Sequence, residues 1–529
     1  MLIVKDLTYK VNFVDTIFEN ISFTIKEKEK VSIIGKNGIG KSILLNLIVG
    51  NISQFNGEIV KKDLNISYFP QKFNELNFKT VADVFGLHNQ VTALNNIENN
   101  NADINDYEYI DGHWDCKDIV KEKMKIFGLN FEPLRNFNTL SGGEKVKLII
   151  SSIINKNSNF LILDEPTNNM DYESKKIFYD FIRSWNGGVL LVSHDRELLN
   201  LMDRTMEMRK IGIAKTKLFN YGGNFKYWQQ QKFLEEQALE NSYNNSIKKE
   251  EIKRNEAIRT TERLKKGFAK SGRLASDGSI KAARTLQQMN REKTALKQVA
   301  NSKATVEKCN NNISLIQEKM EIQQNIYFKF SKTTFSNKNL VNIENLYFFY
   351  NTKQIFNDFN LEIKSHDRVA VEGSNGSGKT TLLNIINGKI TDYRGKIKIN
   401  TENLIFLDQN CDFLNLDTTI LDNIKHFNKE LPEIDCRNIL AQFLFRTDEV
   451  FKKVSSISGG EKLRTALACV FAKKESPELI ILDEPTNNLD LNGIKILEDI
   501  LKNYNGTIIL VSHDKTFKDN ININKIIKL

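Results

Sequence analysis

Two eight-residue stretches have the composition for phosphate chemistry: "GKNGIGKS" from Gly35 to Ser42, and "GSNGSGKT" from Gly373 to Thr380. Each reads G-x-x-x-x-G-K-[ST], the pattern of a P-loop. Gly35, Gly38 and Gly40, and in the second copy Gly373, Gly376 and Gly378, let backbone N–H groups come close to phosphate oxygens. Asn37 and Asn375 sit inside the same loops. Lys41 and Lys379 are placed to bridge β- and γ-phosphates. Ser42 and Thr380 offer hydroxyls to Mg2+, and Thr381 stands beside the second set.

A second set of residues supplies the chemistry that a bound nucleotide would need. "LILDEPTNNMD" (Leu161 to Asp171) recurs as "IILDEPTNNLD" (Ile480 to Asp490). Asp164 and Asp483 are expected to hold Mg2+. Glu165 and Glu484, one residue on, can reach an attacking water as general bases. His194 and His513 close apolar runs in "VSHD" and suit a γ-phosphate contact. Gln71 in "YFPQK" and Gln409 in "IFLDQN" suit Mg2+ and the water. Tyr350 could stack on adenine; the residue at the matching distance in the first half is Asn12, beside Phe13. "LSGGE" (Leu140 to Glu144) and "ISGGE" (Ile457 to Glu461) each read as an anion-binding helix N-terminus, made of Ser141, Gly142, Gly143 and Glu144, and of Ser458, Gly459, Gly460 and Glu461.

Elements must hold these residues, and the sequence indicates which. The apolar runs "KVSIIG", "RVAVEG", "NFLILDE" and "ELIILDE" read as buried parallel strands, and "SILLNLIVG" and "TLLNIING" as apolar helices after the P-loops. All motifs recur in one order, so the chain is an internal repeat. Lys41 to Gln71 and Lys379 to Gln409 are both 30 residues, and Glu165 to His194 and Glu484 to His513 are both 29. One interval differs sharply. Gln71 to Ser141 spans 70 residues against 49 from Gln409 to Ser458, a surplus of 21 that reads as a surface loop or short helical insertion.

The chain's 529 residues allow two or three domains, and 40% hydrophobic and 27% charged residues read as a soluble globular protein. No apolar run is long enough for a membrane span. "MLIVKDLTYK" reads as strand, so no signal peptide is expected. Cys116, Cys309, Cys411, Cys436 and Cys469 are scattered and read as inert thiols of a reducing compartment. The basicity is local. Residues 253–297 hold 13 Lys/Arg against four Asp/Glu, a net +9 that equals the formal charge of the whole chain. Such a stripe is the footprint of a polyanion partner. Around it the spacing predicts helices over about 232–263 and 280–320. The glycine-containing "GFAKSGRLASDGS" reads as a break between them, with a hairpin apex near Lys270 to Ser279.

P-loop, Gln, S-G-G-E, L-D-E-P-T-N-N-[LM]-D and S-H-D together resemble the ATP-binding cassette (ABC) ATPases. Two cassettes, a charged linker of about ninety residues and no membrane domain resemble the ABC-F subfamily, as does "YGGNFKYW" (Tyr221 to Trp228) before the linker. The resemblance implies an α/β fold with two tandem ABC-type P-loop ATPase domains, residues 1–230 and 326–529, joined by a long antiparallel α-helical hairpin linker over 231–325 with a basic tip. It implies ATP and Mg2+ as cofactors, ATP hydrolysis to ADP and phosphate, and two composite sites in a head-to-tail sandwich. One uses Lys41, Ser42, Gln71, Asp164, Glu165 and His194, closed by Ser458, Gly459, Gly460 and Glu461. The other uses Lys379, Thr380, Gln409, Asp483, Glu484 and His513, closed by Ser141, Gly142, Gly143 and Glu144. Ile457 replaces the usual Leu, and Asn169 and Asn488 stand where many relatives have His; neither departure removes a catalytic group.

In ABC-F proteins the linker enters the ribosomal exit-tRNA site, contacts the P-site tRNA and approaches the peptidyl-transferase centre. By that resemblance Lys265, Lys266, Phe268, Lys270, Arg273, Leu274, Lys281 and Arg284 are the expected contacts with tRNA and 23S rRNA of a bacterial 70S ribosome. A cytoplasmic monomer with intramolecular cassette pairing is expected. The overall look resembles the Vga, Lsa and Sal-like group, which implies relief of lincosamide, streptogramin A and pleuromutilin inhibition. The alternative is a housekeeping ABC-F translation factor, though such relatives often carry a larger arm than 21 surplus residues provide. A transporter ATPase subunit would leave the basic hairpin without a role, and a DNA-repair ATPase would turn it toward duplex DNA.

Overall fold

The computed structural model describes residues 1–11, 15–71, 78–125, 127–154, 158–168, 170–211, 215–273, 297, 300–301, 304–311, 313, 338–351, 353–408, 411–443, 445, 448–473, 475–487 and 489–529, and structural statements below concern these residues. Asn12, Phe13, Asn169, Leu274, Lys281, Arg284, Gln409 and Asn488 lie outside them, as do the side chains of Lys265, Lys266, Phe268, Lys270 and Arg273.

The β-branched and leucine-rich runs form strands buried along their whole length. Phe160–Asp164, Gly188–Val192, Leu479–Asp483 and Thr507–Val511 are buried at every position, the signature of parallel strands covered on both faces. The first sheet runs in the order Ile66–Phe69, Phe160–Asp164, Gly188–Val192, Lys30–Gly35, Arg204–Ile211, Lys215–Tyr221. It is parallel up to its final antiparallel pair. The second runs Leu404–Leu407, Leu479–Asp483, Thr507–Val511, Arg368–Glu372, Lys525–Lys528 and is parallel throughout. Each half adds a three-stranded antiparallel sheet. One is Asp15–Ile25, Leu2–Val11 and Asn56–Lys61; the other is Lys353–Lys364, Asn339–Tyr350 and Arg394–Ile399.

The shared strand order matters for the site. In both sheets the strand before the P-loop lies beside the strand that ends at V-S-H-D, and that one lies beside the strand that ends at D-E. Three chemistry-bearing strand ends therefore meet at one carboxyl edge, where open α/β sheets bind ligands. The helix Lys41–Val49 fixes the first P-loop from behind. It buries Leu44, Leu45, Leu47 and Ile48 against Val31, Ile33, Phe160 and Ile162 and against Leu2, Val4 and Ile25. Each such side chain contributes about 1.5–3 kcal/mol. Helix Lys379–Ile386 does the same with Leu382, Leu383, Ile385 and Ile386.

The 21-residue surplus is helical. It is folded into His88–Glu98 and Ile104–Ile110, where buried Asp106 accepts two hydrogen bonds from Asn96 at 3.2 and 3.1 Å. All five cysteines are free, and four are buried. Among the described residues no helix is long and apolar enough to cross a membrane.

Met1–Phe225 and Ile326–Leu529 form one compact unit and Lys226–Asn325 a second. The helix Phe225–Arg273 has 49 residues, which at about 1.5 Å each makes it roughly 75 Å long. This corrects the expected arm of about 232–263. The helix starts seven residues earlier and runs on through Gly267 and Gly272. A glycine costs a helix interior only about 1 kcal/mol, which the Lys-, Leu-, Ala- and Arg-rich surroundings tolerate. The rest of the expected apex, from residue 274, and most of the second arm lie outside the described residues.

Candidate active sites

Each P-loop wraps its own lysine. Lys41 Nζ donates to the carbonyls of Gly35 at 2.6 Å and Lys36 at 3.1 Å; Lys379 Nζ donates to Gly373 at 2.8 Å and Ser374 at 3.0 Å. Both lysines are buried, and burial lowers the pKa of each. The turns need glycine. Gly40 has φ +101°, and a Cβ there would meet Ile17 Cγ2 at 2.6 Å; Gly378 has φ +103°, with Ile355 Cγ2 at 2.5 Å.

The carboxylates stand opposite the lysines. Asp164 is buried, takes a hydrogen bond from the Ser42 hydroxyl, and keeps Oδ1 without a partner; burial raises its pKa. Asp483 likewise takes a hydrogen bond from the Thr380 hydroxyl, and burial raises its pKa. A buried carboxylate with a free oxygen beside a hydroxyl suits Mg2+, which takes few protein ligands and completes its shell with phosphates and water. Among the described residues no group of three His, Cys, Asp or Glu could hold a metal by itself. Gln71 is exposed, two residues beyond the strand Ile66–Phe69.

Glu165 and Glu484 both have φ +47°. A non-glycine residue is uncommon in this region, and its cost of about 1–3 kcal/mol is typical of functional sites. The backbone is held there by bonds from Glu165 N–H to Val192 O at 2.8 Å and from Glu484 N–H to Val511 O at 2.9 Å. His194 N–H donates to Glu165 Oε2 at 3.2 Å, and His194 Nε2 lies 3.3 Å from Glu165 Oε1 and 3.2 Å from Asn37 Oδ1. His513 Nε2 lies 3.4 Å from Glu484 Oε1. Burial pushes Glu165 up to about 8, offset by Lys41, and Glu484 up to about 7, offset by Lys175. Burial also lowers His194 well below its ordinary value and His513 to about 4, so both imidazoles are neutral at pH 7. Glu165 Oε1, Glu484 Oε1 and His194 Nδ1 are buried without a hydrogen-bond partner. These are the orphaned polar atoms of a site built around a polar ligand.

The second site opens into a cavity of about 570 Å3, within the range of small-molecule sites. Its lining includes Asn375, Lys379, Thr380, Thr381, Glu484 and His513, together with Tyr350. Tyr350 is half exposed and meets Phe348 edge-on, so its ring is available for stacking. Among the described residues, the first cassette contributes Met170 and Lys175 to this lining, and none of Ser141 to Glu144.

The two S-G-G-E motifs do open helices, Gly142–Ile153 and Gly459–Phe471. Their glutamates fold back as caps. Glu144 Oε2 accepts from Ser141 N–H at 2.8 Å, and Glu461 Oε2 from Ser458 N–H at 2.8 Å. At the sites the cassettes are joined through two aspartates to which the sequence motifs assign no role, Asp490 and Asp171. Asn37 N–H donates to Asp490 Oδ2 at 3.2 Å, and Asn375 N–H to Asp171 Oδ2 at 3.3 Å. Each aspartate also N-caps its own helix, Tyr172–Ser184 or Leu491–Asn503. The available signal was the final Asp of both D-E-P-T-N-N-x-D repeats. Arg196 and Glu498 add a buried inter-cassette ion pair at 2.6 Å.

Paired P-loops, buried lysines and strand-end carboxylates, reciprocally bridged, define a tandem-cassette P-loop ATPase. The chain belongs to the ABC transporter family, in its ABC-F branch, and is an ATP-hydrolysing enzyme; the family model described as ABC transporter matches residues 18–168 and 356–487. The chain is similar to the ATP-binding protein Uup of Buchnera aphidicola subsp. Acyrthosiphon pisum, 30% identical over 515 residues that cover 95% of this chain and 76% of that one. It is 26% identical to the ribosome protection protein VmlR of Bacillus subtilis, over 97% of this chain and 84% of VmlR. Among solved structures, one titled RNase-L Inhibitor shares the fold with a TM-score of 0.57 and 16% identity, covering 99% of this chain and 87% of that one.

Proposed function

We propose that the protein is an ATP-dependent ribosome protection factor. It binds the exit-tRNA site of bacterial 70S ribosomes stalled by peptidyl-transferase-centre drugs and relieves inhibition by lincosamides, streptogramin A and pleuromutilins. The observation that carries this reading is the placement of charge: the net +9 of residues 253–297, equal to that of the whole chain, lies in the segment between the cassettes. A phosphate backbone is the partner such a stripe fits, here 23S rRNA and P-site tRNA, met by Lys265, Lys266, Phe268, Lys270, Arg273, Leu274, Lys281 and Arg284. The similarity to a protein named for ribosome protection supports the reading.

In this reading ATP binding closes Ser458–Glu461 over the first site and Ser141–Glu144 over the second. Ser42, Asp164 and Gln71, and Thr380, Asp483 and Gln409, would hold Mg2+, which would supply charge neutralisation at the phosphates. Glu165 and Glu484 accept the proton of the attacking water, and the neutral His194 and His513 hold the γ-phosphate side of each site. Hydrolysis releases the protein, which works in the cytoplasm as a single chain. A second reading, a housekeeping translation factor, is favoured by the 30% identity to Uup over 95% of the chain.

Cell-free bacterial translation decides between them. With each drug added separately, the wild-type protein is expected to restore synthesis. No rescue, with Glu165→Gln/Glu484→Gln still blocking translation, selects the housekeeping reading; no effect of either protein overturns the ribosomal one.

A further inference from the structure

Lys175 sits one helical turn after the aspartate that crosses between the cassettes. Asp171 accepts from Asn375 N–H in the second P-loop and caps the helix Tyr172–Ser184. From that helix Lys175 joins Asn375, Lys379, Glu484 and His513 in lining the second cavity. Its Nζ lies 3.3 Å from Asp195 Oδ2, and its side chain is 18% exposed. Its charge bears on Glu484 and on His513 across the interface, and lowers the pKa of each.

The matching position in the other cassette holds no cation. Aligning the motifs on Asp171 and Asp490 places Ile494 at the position of Lys175. Ile494 is buried in the apolar core of the second cassette. The ion pair with Asp195 does not account for Lys175 by itself. Asp195 already accepts from Tyr179 Oη at 2.6 Å and from the N–H groups of Glu197 and Leu198, so it keeps partners without the lysine.

We propose that Lys175 is a cation supplied in trans to the second ATP site, where its ammonium binds the γ-phosphate and makes that site hold ATP more tightly than the first. The proposal rests on the reading of both cavities as ATP sites. A charge-assisted contact of this kind is worth about tenfold in affinity.

The test is equilibrium dialysis of radiolabelled ATP with Mg2+ on the full chain carrying Glu165→Gln and Glu484→Gln, so that bound ATP persists. Adding Lys41→Ala leaves the second site to be measured; adding Lys379→Ala instead leaves the first. Lys175→Ile is expected to weaken ATP about tenfold in the first background and less than about twofold in the second, with Lys175→Arg restoring most of the loss. ADP, which lacks the γ-phosphate, should weaken by less than about threefold. An unchanged second site, an equal loss at both sites, or an equal loss for ADP overturns the proposal. If the second bound ATP survives Lys379→Ala, the site reading itself fails, and the proposal with it.

Discussion

The two candidate ATP sites are built from the same motifs in the same order, yet they are not electrostatically equal. In the first, the Glu165 side chain is 8% exposed and Lys41 is its main cation; in the second, Glu484 is 16% exposed and Lys175 reaches it from the other cassette. Glu165 accordingly sits near pH 8 and Glu484 near pH 7. The helix Leu491–Asn503 keeps Ile494 in the core of its own cassette and pairs Glu498 with Arg196 of the first cassette. The matching helix Tyr172–Ser184 brings Lys175 into the lining of the second site. The motif therefore sets which groups gather at each candidate site, while the helix arriving from the opposite cassette changes their charge balance at the second.

The comparison can be broken first at the carboxylates. Glu165→Gln/Glu484→Gln is expected to lower the steady-state ATPase rate by about 10²–10⁴, the usual range for a lost general base. A loss under tenfold would remove both glutamates from that role. Next in size is the inter-cassette pair. Arg196→Ala leaves Glu498 buried and unpaired, and should destabilise the nucleotide-free protein by about 3–5 kcal/mol in chemical denaturation; Arg196→Met with Glu498→Leu should recover most of that.

A pH titration sharpens the difference between the sites. The base must be ionised, so turnover rises with pH. Glu165→Gln, which works through Glu484, should reach half-maximal rate near pH 7; Glu484→Gln, which works through Glu165, near pH 8. Coincident profiles would erase the asymmetry. Stability runs the other way. These carboxyls have raised pKa values, so their contribution is complete below the ordinary value of 4.5 and is lost as pH rises through about 7 and about 8. The melting temperature of the double Gln variant should therefore gain on wild type between pH 5 and pH 9. The smallest expected effect is at the crossing aspartates: Asp171→Ala or Asp490→Ala removes a helix cap worth about 1 kcal/mol, with a matching fall in melting temperature.

By itself the sequence determined the repeat, the parallel sheets and the groups that gather at the candidate sites. The reason is local: a P-loop, a buried strand ending in Asp-Glu and a Ser-Gly-Gly-Glu cap each take their shape from contiguous residues, and φ +101° at Gly40 or an apolar run before Asp164 is written into neighbouring side chains. The stretch through Gly267 and Gly272 reads as a break in sequence but is helical, because two glycines weigh heavily in a short window and little in a helix of 49 residues. Only the tertiary structure decided which cassette completes which site. Asp490 reaches Asn37 across 453 residues of chain, and Asp171 reaches Asn375 across 204. No local pattern encodes that pairing, because it depends on how two folded surfaces meet. The raised carboxyl pKa values and the position of Lys175 follow from the same meeting, since burial and a neighbour's charge exist only once the faces are packed.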